Sequence, residues 1–179
     1  GKGLASMIKG TATPTESSCF IKVNPDGSLT LLTSSVEIGA GQKTVLAQIA
    51  AETIGASLDS ISIPNPDTAI TPYDTGVSSS RTTYRMGNAI RMAGQEIRGK
   101  ILEMAGEILK TDPTRLGLSR GMIFDENGGE RLTLKELFSR KFGGRGGGLV
   151  AEGRFSPAGS PLLAAGGKEV MSSIFWMFA

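Results

Sequence analysis

The chain has 179 residues, a formal net charge of +2, one cysteine and no histidine. That length supports one domain with a real core, and a charge this near neutral argues against nucleic acid or an anionic membrane as partner. With no histidine and only Cys19, the chain cannot build a Ser-His-Asp triad, an internal disulfide, or its own zinc, copper or haem site. Any metal must be held by carboxylates or arrive inside a prosthetic group. No apolar run reaches membrane-spanning length and no signal peptide is visible, so a cytoplasmic chain is expected.

Residues 1–15 carry Gly, Thr and Pro and read as an irregular lead-in. From Ser18 to Asn24 the pattern alternates, with Cys19, Ile21 and Val23 on one side and Phe20 and Lys22 on the other, which predicts a strand. Asn24-Pro25-Asp26-Gly27 predicts a tight turn, because Pro presets φ and Gly accepts positive φ. Leu29 to Thr33 then completes a hairpin. Val45, Leu46, Ile49, Ala50 and Ile54 follow a helical stripe closed by Gly55, and Ile61 to Ile63 is a short strand candidate. Strand–helix–strand over this distance predicts a β-α-β unit packed on one sheet.

The strongest helical pattern is Met86, Ile90, Ala93, Ile97, Ile101, Met104 and Ile108, spaced 4, 3, 4, 4, 3 and 4. Gly87 and Gly94 lie beside that stripe. Each costs up to ~1 kcal/mol relative to Ala inside a helix, which close approach of a sheet or partner would offset. The helix should stop at Asp112-Pro113. Met122–Phe124 and Arg131–Leu132, joined through Asp125–Gly129, predict a second hairpin. Thr133-Leu134-Lys135-Glu136 is a capping box for a short helix to about Lys141. Residues 143–167 read as a loop-rich connection. The apolar run Ile174–Ala179 reads as a strand cut at the terminus, so residues 1–179 are expected to be a single fragment of a longer protein.

Two glycine-bearing turns about forty residues apart each lead straight into a helix. The first carries Gly39, Ala40, Gly41 and Gln42; the second carries Ser78, Ser79, Ser80, Arg81 and Thr82. Each can aim free N–H groups and a partial positive charge at an anion, and two such ends side by side can grip a pyrophosphate-bearing ligand. The plain alternatives are an ordinary turn at Gly39–Gly41 and a Ser-rich N-cap with a solvated Arg81. The first turn is neither a dinucleotide fingerprint nor a phosphate loop, since the third Gly and the Gly-Lys-Ser/Thr order are missing. Glu37 would repel phosphate and is expected to point away or pair with Lys43. Arg85 reads as a second anion contact or an ordinary surface charge, and Cys19 as a buried strand residue. The carboxylates form no acid–base pair, so neither a catalytic residue nor a metal ligand is assigned.

Glu37-Ile38-Gly39-Ala40-Gly41, Gln48-Ile49-Ala50-Ala51-Glu52, Thr75-Gly76 with Ser80-Arg81-Thr82, and Gly87-Asn88-Ala89 resemble, in this order, a known pattern. It is that of the molybdenum-cofactor-binding subunit of the xanthine dehydrogenase and aldehyde oxidase superfamily, the molybdenum hydroxylases. The likeness is strongest over residues 16–110. The family's central Gln falls where Ala40 stands, and Gln42 is placed to supply an amide in its stead. The resemblance implies molybdenum carried by a molybdopterin, in the cytosine dinucleotide form, with the protein holding the pterin and its phosphates. It implies hydroxylation of an aldehyde or N-heterocycle with water, and a catalytic Glu beyond Ala179. Implied partners are the remainder of the catalytic subunit, companion domains or subunits carrying 2Fe-2S and FAD, and a small-molecule substrate.

The expected fold class is α/β (α+β): a mostly antiparallel, twisted sheet with two main helices on one face. The element order is β-β-α-β-α, followed by a hairpin and a short helix. The competing expectation is a non-catalytic protein-interaction or assembly domain, in which Gly87 and Gly94 mark a face for another polypeptide. A simple nucleotide-binding module is a third.

Overall fold

The structure is a computed structural model and describes residues 1–5, 16–125 and 127–156. The expected strand end at 174–179, and residues 157–167 of the expected loop, lie outside the described residues. Strand β1 (Ser17–Val23) buries Cys19, Ile21 and Val23 and turns Lys22 to solvent, as its period of two demands. It pairs antiparallel with β2 (Leu29–Leu32) in the register Phe20↔Leu32 and Val23↔Leu29. Between them Gly27, at φ 85°, donates its N–H to the Asn24 carbonyl at 2.9 Å, closing the expected turn.

Helix α1 (Gln42–Ile54) follows, burying Leu46, Ala47, Ala50 and Ile54 and ending on Gly55 in the left-handed conformation. Strand β3 (Ile61–Ser62) returns parallel to β2, Leu29 opposite Ile61. The β-α-β unit is therefore present, with the carboxyl ends of β2 and β3 at one end of the sheet.

Helix α2 (Gly87–Leu109) is entered through a π-helical turn at Thr82–Met86. Its buried face follows the stripe read from the sequence from Met86 through Ile90, Ala93 and Ile97 to Ile101; beyond that Ala105 and Gly106 are buried while Met104 and Ile108 are only half-buried. The helix ends at Leu109, with Lys110 left-handed, three residues before Asp112-Pro113. Gly87 and Gly94 are where α1 crosses α2. A Cβ on Gly87 would stand 2.9 Å from Ile49 Cδ1, and one on Gly94 would stand 2.9 Å from Thr53 Cγ2. The close approach that offsets their cost comes from within the chain, so these glycines are not a free face for another polypeptide.

Strand β4 (Leu116–Ser119) was not foreseen. It forms a hairpin with β5 (Met122–Asp125) through Arg120 and Gly121, both at positive φ as a two-residue hairpin turn requires. The expected hairpin is also present, β5 pairing antiparallel with the two-residue β6 (Leu132–Thr133) with Ile123 opposite Leu132. Helix α3 (Leu134–Phe142) starts on the expected capping box: Glu136 N–H donates to Thr133 Oγ1 at 3.2 Å, and Thr133 N–H donates to Glu136 Oε2 at 2.8 Å.

One reading needs correction. The expected loop at 143–167 contains β7 (Leu149–Phe155), seven residues paired antiparallel along the whole of β1 from Ser17↔Phe155 to Val23↔Leu149. Its alternation was masked because small Ala151 and Gly153 hold the inward positions. They are small because α2 lies directly over them: a Cβ on Gly153 would fall 1.9 Å from the Ala89 carbonyl oxygen. Among the described residues the strands form two sheets, β3-β2-β1-β7 and β4-β5-β6, where one was expected. A single apolar cluster runs from Cys19 and Leu31 through α1 and α2 to Ile123 and Phe138. Among the described residues no helix is long and apolar enough to cross a membrane.

Candidate functional site

Both turns open at the same end of the larger sheet. Antiparallel pairing of Phe20 with Leu32 puts the carboxyl end of β2, where the first turn begins, beside the amino end of β1. The second turn is tied to that same end, because Arg81 donates to Ser17 Oγ at 2.9 Å and to the Glu16 carbonyl at 3.1 Å. Ser34, just ahead of the first turn, donates its hydroxyl to the Pro72 carbonyl, just ahead of the second, and its Oγ lies 3.1 Å from Thr71 Oγ1. This end lies outside the carboxyl ends of parallel β2 and β3, the usual place for ligands on α/β sheets.

In the first turn Gly39 and Gly41 take positive φ, 92° and 75°, and Gly41 is the N-cap of α1 with no side chain of its own to offer. Glu37 supplies the missing acceptor. Its Oε1 accepts from Gly39 N–H at 2.9 Å and Gly41 N–H at 3.0 Å, and its Oε2 accepts from Lys43 N–H at 3.2 Å. Gln42 is buried, and with its amide nitrogen turned toward Glu37 it donates to Oε1 at 2.5 Å. Partial desolvation disfavours the ionised carboxylate, but the N–H groups of Lys43, Gly41, Gly39 and Ala40 outweigh it and hold its pKa below the ordinary Glu range. Glu37 thus neither points away nor pairs with Lys43; the Lys43 ammonium donates to Asn65 Oδ1 at 2.8 Å. The tip of the turn, Ile38, Gly39 and Ala40, faces solvent.

In the second turn Ser79 and Ser80 are both left-handed, φ 47° and 52°, and the π-helical turn follows after Arg81. Two consecutive non-Gly residues in that region are strained, each by about 1–3 kcal/mol, and such strain clusters at functional sites, as π-turns do. Ser78 and Ser80 are exposed and Ser79 partly so, while Thr82 begins the π-turn.

The side chain of Arg81 runs the other way. It is 1% exposed and ion-paired with Asp74, itself 2% exposed, and it also donates to the Gly76 carbonyl at 3.0 Å. Its Nε has no hydrogen-bond partner among the described residues. Burial, and then the charge of Arg85, lower its pKa against the opposing influence of Tyr73. The guanidinium therefore braces the turn from inside, and neither the expected anion contact nor the solvated alternative describes it. Arg85, read as an anion contact or a surface charge, is buried at 1% exposure. Cys19 is fully buried as expected, and burial pushes its thiol up to about 12. Sequence reasoning misread the direction of Glu37 and gave Asp74 no role. The signal for Asp74 was its place in an Asp-x-Gly turn, where its Oδ1 accepts from Gly76 N–H at 3.3 Å.

The larger open clefts of the described residues lie apart from the two turns. One of about 870 Å³ lies at the far end of α1, lined by Glu52, Gly55, Asp59, Arg98, Leu118 and Arg120, remote from both turns. One of about 690 Å³ lies against the outer sheet face and the 69–75 segment, lined by Ser18, Phe20, Pro72, Tyr73, Thr75 and Arg154 among others. Neither is lined by Gly39–Gln42 or Ser78–Thr82. Exposed Val36, Ile38, Ile70 and Tyr73 add apolar surface near the same end of the sheet. Among the described residues no cluster of three or more Cys, Asp or Glu could hold a metal ion. The donors on offer are hydroxyls and backbone N–H groups, which suit an oxygen-rich, anionic molecule that brings its own metal ligands.

Comparison with known proteins gives a consistent result. The chain is 33% identical over 144 residues to a putative xanthine dehydrogenase molybdenum-binding subunit of Escherichia coli, covering 78% of this chain and 19% of that protein. It is 33% identical over 117 residues to subunit gamma of the 6-hydroxypseudooxynicotine dehydrogenase complex of Paenarthrobacter nicotinovorans, covering 65% and 15%. Among solved structures, a Cu,Mo-CO dehydrogenase superposes with a TM-score of 0.69 at 26% identity, over 82% of this chain and 19% of that one. Quinoline 2-oxidoreductase from Pseudomonas putida 86 shares the fold, with a TM-score of 0.70 at 24% identity over 82% and 20%. The chain thus spans a fifth or less of the length of these relatives. A family described as the molybdopterin cofactor-binding domain matches residues 1–176. With that match over nearly its whole length, the chain belongs to the molybdopterin cofactor-binding domain family.

Proposed function

We propose that this chain is the cofactor-holding part of a molybdenum hydroxylase catalytic subunit, and that its two turns hold one molybdopterin. The observation that carries the reading is the family match over residues 1–176, joined to relatives named as molybdenum-binding subunits. When bound, the cofactor supplies oxidative hydroxylation of an aldehyde or N-heterocycle, with water as the oxygen source. The chain's own contribution is binding and orientation. Gly39, Ala40, Gly41 and Gln42 present a loop fixed by Glu37, and Ser78, Ser79, Ser80 and Thr82 present hydroxyls and N–H groups in a preset backbone. Arg81 acts from behind that backbone. Preorganised neutral donors of this kind stabilise an anion without importing another charge.

The finer features follow from the same reading. The cofactor is the cytosine dinucleotide form, whose added phosphate suits the hydroxyl-rich second turn. Electrons leave through 2Fe-2S and FAD centres on companion domains or subunits, and the complex is cytoplasmic. The test is to purify the complete catalytic subunit from a cofactor-replete host and measure molybdenum and pterin per polypeptide. The reading predicts near one of each, and absence of both under those conditions contradicts it.

A further inference from the structure

We propose that Glu37 is a positioning residue that fills the anion slot at the N-terminus of α1 with the protein's own carboxylate. The inference rests on the reading of the first turn as part of the cofactor cradle and changes how that turn works. The N–H groups of Gly39, Gly41 and Lys43 are the free donors that a helix start would aim at a ligand phosphate, and all three converge on Glu37. The amide of buried Gln42 is a fourth donor to the same carboxylate. A free anion would have to displace a covalently tethered one, whose effective concentration is high, and would be repelled by it. The Lys43 ammonium is not part of this cap; it donates to Asn65 Oδ1 instead.

The consequence is a division of labour inside the turn. Its base is an internal cap that fixes Gly39 and Gly41 at φ 92° and 75°. Its tip, Ile38-Gly39-Ala40, stays exposed and is the part left to meet a ligand. Ala40 and Gln42 also fall into place: Gln42 is spent on the cap, so it does not deputise for the amide that Ala40 lacks. An anionic ligand group then has no claim on the end of α1.

The experiment follows the backbone amides of the 179-residue chain by NMR, with sodium formate and inorganic pyrophosphate as probes. In the wild type, pyrophosphate and formate leave the Gly39, Gly41 and Lys43 amides in place. In Glu37→Ala, formate shifts these three amides saturably, at least roughly tenfold more tightly than any response of the wild type, because it refills the vacated slot. Chemical rescue of this kind is not produced by a residue that is merely part of the scaffold. Glu37→Gln keeps the shape without the charge, so it guards against a folding defect in the alanine variant. Hydrogen exchange at the three amides should rise about tenfold in it while α2 is unchanged. Pyrophosphate shifts in the wild type equal to those in Glu37→Ala, or exchange unaltered in Glu37→Gln, would overturn the proposal. Failure of the cofactor reading is seen separately, as missing molybdenum and pterin in the complete wild-type subunit, and leaves these amide responses as they are.

Discussion

Arg81 and Asp74 form an ion pair sealed from water, seven residues apart across the second turn. The same guanidinium reaches the Gly76 carbonyl, the Glu16 carbonyl and Ser17 Oγ, so one side chain ties the turn to the amino end of β1. Removing either partner leaves an uncompensated buried charge. Arg81→Ala and Asp74→Ala should each lower the unfolding free energy by about 3–5 kcal/mol, with the double variant well short of the sum. Urea unfolding measures this. Losses below about 1 kcal/mol, the size seen for exposed pairs, would show that the pair is not the brace described here.

The first turn makes a prediction in pH. The Glu37 carboxylate is held below the ordinary Glu value of about 4.3, so its cap is complete above that value. The cap is lost as pH falls through the lowered folded value. NMR titration should show the Gly39, Gly41 and Lys43 amides moving together, with a midpoint below that of an unperturbed Glu. A midpoint at or above the ordinary value would mean that the carboxylate is not held by those donors.

Two glycines separate helix propensity from packing. Gly153→Ala places a Cβ 1.9 Å from the Ala89 carbonyl oxygen, and backbone cannot yield as a side-chain tip can. It should cost about 3 kcal/mol or more, the upper end for overpacking. Gly94→Ala meets side chains only, Thr53 Cγ2 at 2.9 Å, Thr53 Cβ at 3.2 Å and Ile54 Cγ1 at 3.3 Å, and gains up to about 1 kcal/mol of helix propensity, so it should cost less than Gly153→Ala. Thermal unfolding of the two variants orders them, and a more damaging change at Gly94 would contradict this account of the α2–β7 contact.

Cys19 has no exposed surface, and its thiol is pushed up to about 12. Only the thiolate reacts readily with iodoacetamide. Native protein at neutral pH should stay unlabelled and react at the rate of unfolding, as mass spectrometry across a urea series would show. Fast labelling without denaturant would place the thiol outside the core.

Much of the fold was legible because periodicity carried it. The alternation of β1 and the long α2 stripe reported which faces are buried, and the Thr133–Glu136 box reported where α3 begins. Strand β7 was not legible, because its inward positions hold Ala151 and Gly153 under α2, and small residues give no hydrophobic alternation. The candidate turns were visible as glycines and serines ahead of helices, but the direction of their charged side chains was not. An Arg before a helix looks the same whether it meets a ligand or, like Arg81, folds back onto a buried Asp74. A Glu four residues before an N-cap glycine looks the same whether it points away or, like Glu37, closes onto three N–H groups. Those choices depend on neighbours distant in the chain, such as Ser17 and Asn65.

The most direct test of the claim that both turns hold one cofactor is hydrogen exchange on the complete catalytic subunit, prepared with and without molybdopterin. The account predicts cofactor-dependent protection in two separated segments at once, 38–42 and 78–82. Loaded protein with protection at only one of them, or at neither, would contradict it.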